Sequence, residues 1–184
     1  MYFGNIKYND IANGEGVRVS LFVSGCRNHC KECFNPETWN FKYGEEFTEE
    51  VENKIIESLK PSWINGLTIL GGEPFEIENQ RGLVSFIKRV RQELPHKTIW
   101  MYSGYLFDKE IHNPDGKVHC EVTDEILRNI DILVDGKFEI SLTNLSLKFR
   151  GSTNQRIILV QESLEKNEVI LSPLNAYKEF KINK

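Results

Sequence analysis

Three of the chain's four cysteines fall in one short stretch, Ser24 to Cys33, which reads S-G-C-R-N-H-C-K-E-C. Their spacing is C-x3-C-x2-C, at Cys26, Cys30 and Cys33. The stretch begins where an apolar run stops: Val17, Val19, Leu21, Phe22 and Val23 read as a buried strand, and Gly25 lets the chain turn. In an open α/β sheet, ligands sit beyond the carboxyl ends of the strands. Three thiols gathered there converge on something the size of a metal centre, with the rest of the chain as their support.

The redox state of those thiols follows from the compartment. The first residues, M-Y-F-G-N-I-K-Y-N-D, lack the apolar core of a signal peptide, and no run of about 18 apolar residues occurs. These features predict a cytoplasmic protein with no membrane segment. Cysteines stay reduced there, and a tight cluster is metal-binding or catalytic rather than a disulfide frame. A net charge of −4 without a basic stripe argues against nucleic acid as a partner. At 184 residues, 40% hydrophobic and 27% charged, the chain fits one globular domain over 1–184.

Apolar periodicity organises the remainder. Residues 11–18 form a glycine-containing loop into the first strand, and Phe34-Asn35-Pro36 closes the cysteine loop, with Trp39 and Phe41 capping the core beside it. Thr48 caps a helix carrying Val51, Ile55, Ile56 and Leu59, which Pro61 stops. Leu67 to Leu70 is a second strand, ending in Gly71-Gly72-Glu73-Pro74. A helix with Leu83, Val84, Phe86, Ile87, Val90 and Leu94 inward follows, ended by Pro95. Thr98 to Tyr102 is a third strand, ending at Ser103-Gly104. After a surface loop from His112 to Cys120, Asp124 to Ile130 reads as a helix capped by Thr123. Ile132 to Val134 is a fourth strand, ending at Asp135-Gly136. Residues 137–150 are irregular, Arg156 to Val160 and Val169 to Leu171 read as further strands, and the tail from Tyr177 is polar and loose. Strands alternating with helices predict a parallel sheet with right-handed crossovers. The unusual residues at four strand ends then share one rim, where barrel-type α/β folds place their chemistry.

Structural zinc normally takes four protein ligands. His29 is the one candidate for a fourth, but it adjoins Cys30, and neighbours in sequence point poorly at one ion. An iron–sulfur cluster held by three thiolates instead leaves one iron open to an exchangeable ligand. Gly71 and Gly72 let a ligand approach the backbone, and Glu73 can accept hydrogen bonds from an ammonium group. The stretch lacks the pattern of a phosphate loop. A plain strand-to-helix turn is its competing reading.

Taken together, these motifs resemble the radical S-adenosylmethionine superfamily, and more finely the anaerobic ribonucleotide reductase-activating proteins. The likeness runs from Asp10 to about Arg156. It rests on N-G-E-G-V-R (13–18), L-F-V-S-G-C (21–26), C-F-N-P-E-T-W (33–39), G-G-E-P (71–74), Y-S-G-Y (102–105), V-D-G-K-F (134–138) and R-G-S-T-N-Q-R (150–156). The resemblance implies that Cys26, Cys30 and Cys33 ligate three irons of a 4Fe-4S cluster, the fourth being chelated by S-adenosylmethionine. It implies that Gly71, Gly72 and Glu73 line the cofactor's amino group, and that the backbone through Glu32, Cys33 and Phe34 faces its adenosyl part. The activity implied is reductive formation of a 5′-deoxyadenosyl radical, which generates a glycyl radical on the anaerobic ribonucleoside-triphosphate reductase. A flavodoxin- or ferredoxin-like electron donor and a homodimer are further implications.

A folded protein as substrate needs a site open on one side. A chain this short cannot close a full barrel of about 250 residues. The expected class is therefore α/β, an incomplete TIM-type barrel of parallel strands with helices outside.

Other residues carry less. Ser103 and Asp135 are candidates to hydrogen-bond the methionine carboxylate or the ribose, with ordinary turn residues as the alternative. Arg150, Asn154 and Arg156 belong near the cofactor or partner without assigned roles. Cys120, His112 and His119 read as parts of a solvated loop. Glu32 departs from the aromatic or small residue usual before the third cysteine, and residues from about 161 to 184 form a C-terminal extension. The competing functions are an activase for another glycyl radical enzyme, such as a formate lyase, a short radical enzyme acting on a small molecule, and a non-catalytic zinc module.

Overall fold

The computed structural model describes residues 1–177, so the polar tail lies, apart from Tyr177, outside the described residues. Seven strands form one sheet in the order β3-β1-β2-β4-β5-β6-β7. They are β1 (Tyr2–Asp10), β2 (Val17–Val23), β3 (Glu45–Glu46), β4 (Ile64–Gly71), β5 (Thr98–Tyr102), β6 (Ile132–Asp135) and β7 (Arg156–Leu159). The central strands β2, β4, β5 and β6 pair in parallel. They are joined in turn by α1 (Glu49–Leu59), α2 (Ile77–Glu93) and α3 (Thr123–Asn129). Because successive strands are also neighbours, right-handed crossovers put all three helices on one face.

The outer strands correct the expectation of an all-parallel sheet. β1 and β3 pair antiparallel, as do β1 and β2, and β7 runs antiparallel to β6. Parallel neighbours need a long crossover, usually a helix. β1 reaches β2 through a short turn, and only a 3-10 turn at Ile140–Leu142 lies between β6 and β7. The sheet is mixed, parallel in its centre, and not closed into a barrel. Val169 to Leu171 contributes only an isolated bridge from Leu171 to Ile158. The expected strand through Val160 stops at Leu159, where α4 (Val160–Lys166) begins.

Strand alternation divides the buried residues. Val19, Leu21, Val23, Leu67, Ile69, Ile99, Met101 and Leu133 pack with Ile55, Leu59, Leu83, Phe86, Val90 and Leu127 from the helices in the main core. The other face carries Trp100, Val134 and Ile157 in a smaller cluster. Buried polar groups share that face. Arg18 spends all five guanidinium N–H bonds there, on the hydroxyls of Thr68 and Thr98 and the carbonyls of Glu15, Leu67 and Thr98. Thr123, read as a helix cap, is instead inside α3, and its hydroxyl donates to Gln80 Oε1 at 2.6 Å. Thr48 is the N-cap residue of α1 but makes no side-chain cap bond.

Candidate functional site

The cysteine loop leaves β2 at its carboxyl end and is sewn to the next turn. Gly25 N donates to Thr38 O at 2.7 Å and Cys26 N to Trp39 O at 3.3 Å, Thr38 and Trp39 belonging to the 3-10 turn Pro36–Trp39. Gly25 has φ +100°, and a Cβ there would lie 2.3 Å from the Phe41 ring. At Gly72 the demand is close approach, since a Cβ would stand 2.7 Å from Gly25 O. His29 and Glu32 hold left-handed conformations at φ 44° and 57°. Such conformations in non-glycine residues cluster where function imposes strain.

Cys26 is buried, and Cys30 and Cys33 are half-buried, all three as free thiols. They line one cavity of about 200 Å³, with Gly71, Gly72, Leu70, Tyr102, Ser103 and Phe138 among its walls. Burial pushes the Cys26 thiol up to about 11, against the main-chain N–H groups of Asn28 and His29, which favour its thiolate. Burial also raises Cys30, with Lys137 and the Phe138 N–H opposing. Thiols of this kind give up their protons when a metal takes them, and the N–H groups aimed at sulfur then stabilise the anion. Among the described residues, no three His, Cys, Asp or Glu side chains are gathered as ligands of a single ion.

Two glutamates three residues apart tie the rim together. Glu73, 1% exposed, accepts four hydrogen bonds. Phe75 N and Ser103 Oγ each donate to Oε1 at 2.9 Å. Gly104 N and Asn28 Nδ2 donate to Oε2 at 2.7 and 3.1 Å. Burial nevertheless pushes its carboxyl up to about 7. Glu76 receives Arg27 from the cysteine loop and the Tyr105 hydroxyl from the loop after β5, the latter at 3.1 Å. From the far side, Lys137 Nζ donates to Asn28 O at 2.8 Å. The loops after β2, β4, β5 and β6 are thus one connected rim.

A family model described as "4Fe-4S single cluster domain" matches residues 12–158. The chain is 41% identical over 151 residues to the anaerobic ribonucleoside-triphosphate reductase-activating protein of Pasteurella multocida (strain Pm70), covering 80% of this chain and 90% of that one. The chain belongs to this family of activating proteins. The likeness extends to the member from Enterobacteria phage T4, 35% identical over 159 residues, with 85% and 93% of the two chains covered. The member from Escherichia coli (strain K12) is 38% identical over 148 residues, with 79% and 90% covered. Among the described residues, no helix is long and apolar enough to cross a membrane.

Within this activating-protein chain, Cys26, Cys30, Cys33, Phe34, Gly71, Gly72 and Ser103 all stand on the cavity wall. Glu32 is exposed, while Glu73 and Asp135 are buried beside the wall rather than on it. Asp135 Oδ1 accepts from Arg156 Nε at 2.9 Å, and its Oδ2 from Phe107 N at 2.7 Å and Arg156 Nη2 at 2.5 Å. Arg150 reaches Asn175, and Asn154 donates to Lys137 O; neither lines the cavity. Cys120, His112 and His119 are also away from it. Asn28, Phe138 and Gln155 are cavity residues that the sequence reading left without a role, and Trp39, read as a core cap, lines the cavity as well. The signal for Phe138 and Gln155 was their place in V-D-G-K-F and R-G-S-T-N-Q-R.

Proposed function

We propose that the protein activates an anaerobic ribonucleoside-triphosphate reductase by generating a glycyl radical on it, using a 4Fe-4S cluster and S-adenosylmethionine. The observation that carries this reading is the convergence of three thiols on one glycine-backed cavity at the carboxyl ends of parallel strands. Cys26, Cys30 and Cys33 would hold three irons as thiolates, leaving the fourth for S-adenosylmethionine. Bound together and given one electron by an external low-potential donor, the two groups would supply a 5′-deoxyadenosyl radical, with methionine as the leaving group, able to take a hydrogen atom from a glycine.

The chain's own part is positioning and exclusion of water. Gly71 and Gly72 offer backbone without side chains to the cofactor's amino end, and the Glu73 carboxylate behind them, filled by protein donors, holds Asn28, Ser103 and Gly104 of the rim in place. Ser103 is proposed for its carboxylate or ribose, and the backbone of Glu32, Cys33 and Phe34 for the adenosyl part, while Asp135, buried and bonded to Arg156 and Phe107 N, anchors the strand end that leads to Gly136 on the wall. Leu70, Tyr102 and Phe138 make the wall largely apolar, which protects a reactive species from water. Phe34, 79% exposed at the rim, is free to pack against an incoming partner.

The same proposal includes one domain over 1–184 with a C-terminal extension from about 161, a partial TIM-type barrel, and a cytoplasmic setting. The barrel reading is supported by the order β2-β4-β5-β6 with one helix between each pair. A flavodoxin- or ferredoxin-like donor and a homodimer complete it. The test is anaerobic reconstitution with iron and sulfide, reduction, and addition of S-adenosylmethionine. Iron-dependent 5′-deoxyadenosine formation is expected, abolished in Cys30→Ala; a colourless protein that retains only zinc would overturn the reading.

A further inference from the structure

The segment between β6 and β7 is built as a lip on the cavity. Its outgoing arm starts from Phe138, a wall residue. Its returning arm is held by two others: the Tyr102 hydroxyl donates to Phe149 O at 2.9 Å, and Gln155 Oε1 accepts from Gly151 N at 2.8 Å. Phe149 also packs edge-on against Trp100, with ring centroids 5.5 Å apart. Between the arms, Thr153 N donates to Leu142 O at 2.9 Å, Thr143 and Ser152 form an antiparallel bridge, and Ser152 Oγ accepts from Glu139 N at 3.2 Å. Residues 139–149 therefore stand beside the cavity as a fastened loop.

The lip shows apolar side chains to solvent. Ile140 and Leu142 are exposed, and Leu145 is 98% exposed. The apolar surface continues to the cavity itself, because the Phe138 ring packs against the exposed Phe34 with centroids 5.4 Å apart, and both rings line the cavity. Clustered exposed apolar groups of this kind mark interaction surfaces. A loop already held by its own hydrogen bonds has little freedom left to lose on binding, which favours association.

The chemistry of the site names the occupant. For a hydrogen atom to pass from a glycine Cα to the radical carbon, the two carbons must approach to about 3–3.5 Å. The polypeptide that carries the glycine must therefore enter this cavity, and the residues flanking the glycine come to rest on whatever borders the entrance. We propose that the lip 139–149, together with Phe34, is the docking surface for the glycine-bearing segment of the reductase, with apolar side chains beside that glycine seated on Ile140, Leu142 and Leu145. This inference rests on the reading of the site as a radical-generating centre. A second copy of this chain is the rival occupant, and it would cover the surface that the reductase needs.

The test uses the full-length protein reconstituted anaerobically, as wild type and as the double variant Ile140→Ser, Leu145→Ser. With S-adenosylmethionine and reductant but no reductase, both should form 5′-deoxyadenosine at the same rate. With reductase added, the concentration giving half-maximal glycyl radical should rise about 10-fold in the variant, the scale of losing well-packed interface residues. Trp63→Ser removes an exposed aromatic that precedes β4, at the opposite end of the sheet, and should leave that concentration unchanged. An unshifted concentration in the double variant, an equal shift in Trp63→Ser, or a fall in 5′-deoxyadenosine formation overturns the proposal. So does a dimer that dissociates in the double variant, read by light scattering, which would give the lip to a second copy. A further measurement needs no variant: amide hydrogen exchange of the wild type should slow across 139–149 when reductase is added, and unchanged exchange there overturns the proposal as well. These failures leave the radical reading standing, whereas a cluster-loaded wild type that forms no 5′-deoxyadenosine sinks that reading and this inference with it.

Discussion

Arg27 and Glu76 are bonded twice: the main-chain N–H of Arg27 donates to Oε1 at 2.8 Å, and its guanidinium to Oε2 at 2.5 Å. The guanidinium also reaches Glu78 at 2.6 Å and lies 4.3 Å from the Phe41 ring centroid. Glu76 is the N-cap residue of α2, so the loop bearing the first cysteine is fastened to the start of a helix.

Arg27→Ala leaves the buried Glu76 carboxylate without its cation. The expected cost is about 2 kcal/mol, the scale of hydrogen bonds to charged groups. Arg27→Lys should restore less than half of it, since an ammonium group cannot bridge two carboxylates and stack on a ring. Denaturant unfolding of the cluster-free protein measures both, and an unchanged midpoint in the alanine variant would contradict the clasp.

Glu73 gives a pH dependence with a definite sign. Its carboxyl rises from 4.5 to about 7 on folding, chiefly through burial. A folded value above the unfolded one means that its contribution is full below about pH 4.5 and is lost as the pH rises through about 7. The cluster-free protein should lose up to about 3 kcal/mol across that window on this account. Glu73→Gln should flatten this part of the profile while lowering stability throughout, because its amide NH2 faces donors. Unfolding midpoints from pH 5 to 8 decide, and an unaltered slope in the variant counts against the assignment.

Asp135 and Arg156 are cross-strand partners of β6 and β7, and Asp135 is fully buried. Removing one charge from a buried pair typically costs 3–5 kcal/mol. With Arg156 partly exposed and also held by Asp108, Asp135→Asn should cost about 3 kcal/mol at most. If Asp135 served the cofactor alone, stability of the cluster-free protein would be unchanged.

How much of this was legible follows from the kind of signal each part carries. Central strands and their helices were readable because Val19, Leu21 and Leu67 or Leu83, Phe86 and Val90 repeat at the right period. β1 was not, since Asn5, Lys7, Tyr8 and Asn9 are exposed at the sheet's outer part and break any apolar alternation. α4 was hidden because its residues follow directly on a strand. The cysteines announced themselves by spacing. N-G-E-G-V-R was legible as a loop into β2 and as part of the family likeness, but not in its physical role: its buried Arg18 serves the opposite end of β2 from the site. The bonding of Glu73 and Asp135 to protein groups was beyond sequence reading, because Asn28, Gly104 and Arg156 reach them only in three dimensions.

The most direct measurement is electron paramagnetic resonance on the reconstituted, reduced protein mixed with S-adenosylmethionine and a purified anaerobic ribonucleoside-triphosphate reductase. A glycyl radical doublet on the reductase is predicted, absent when Cys30→Ala replaces the wild type. A cluster-loaded wild type that cleaves S-adenosylmethionine yet leaves the reductase without a doublet would contradict the account.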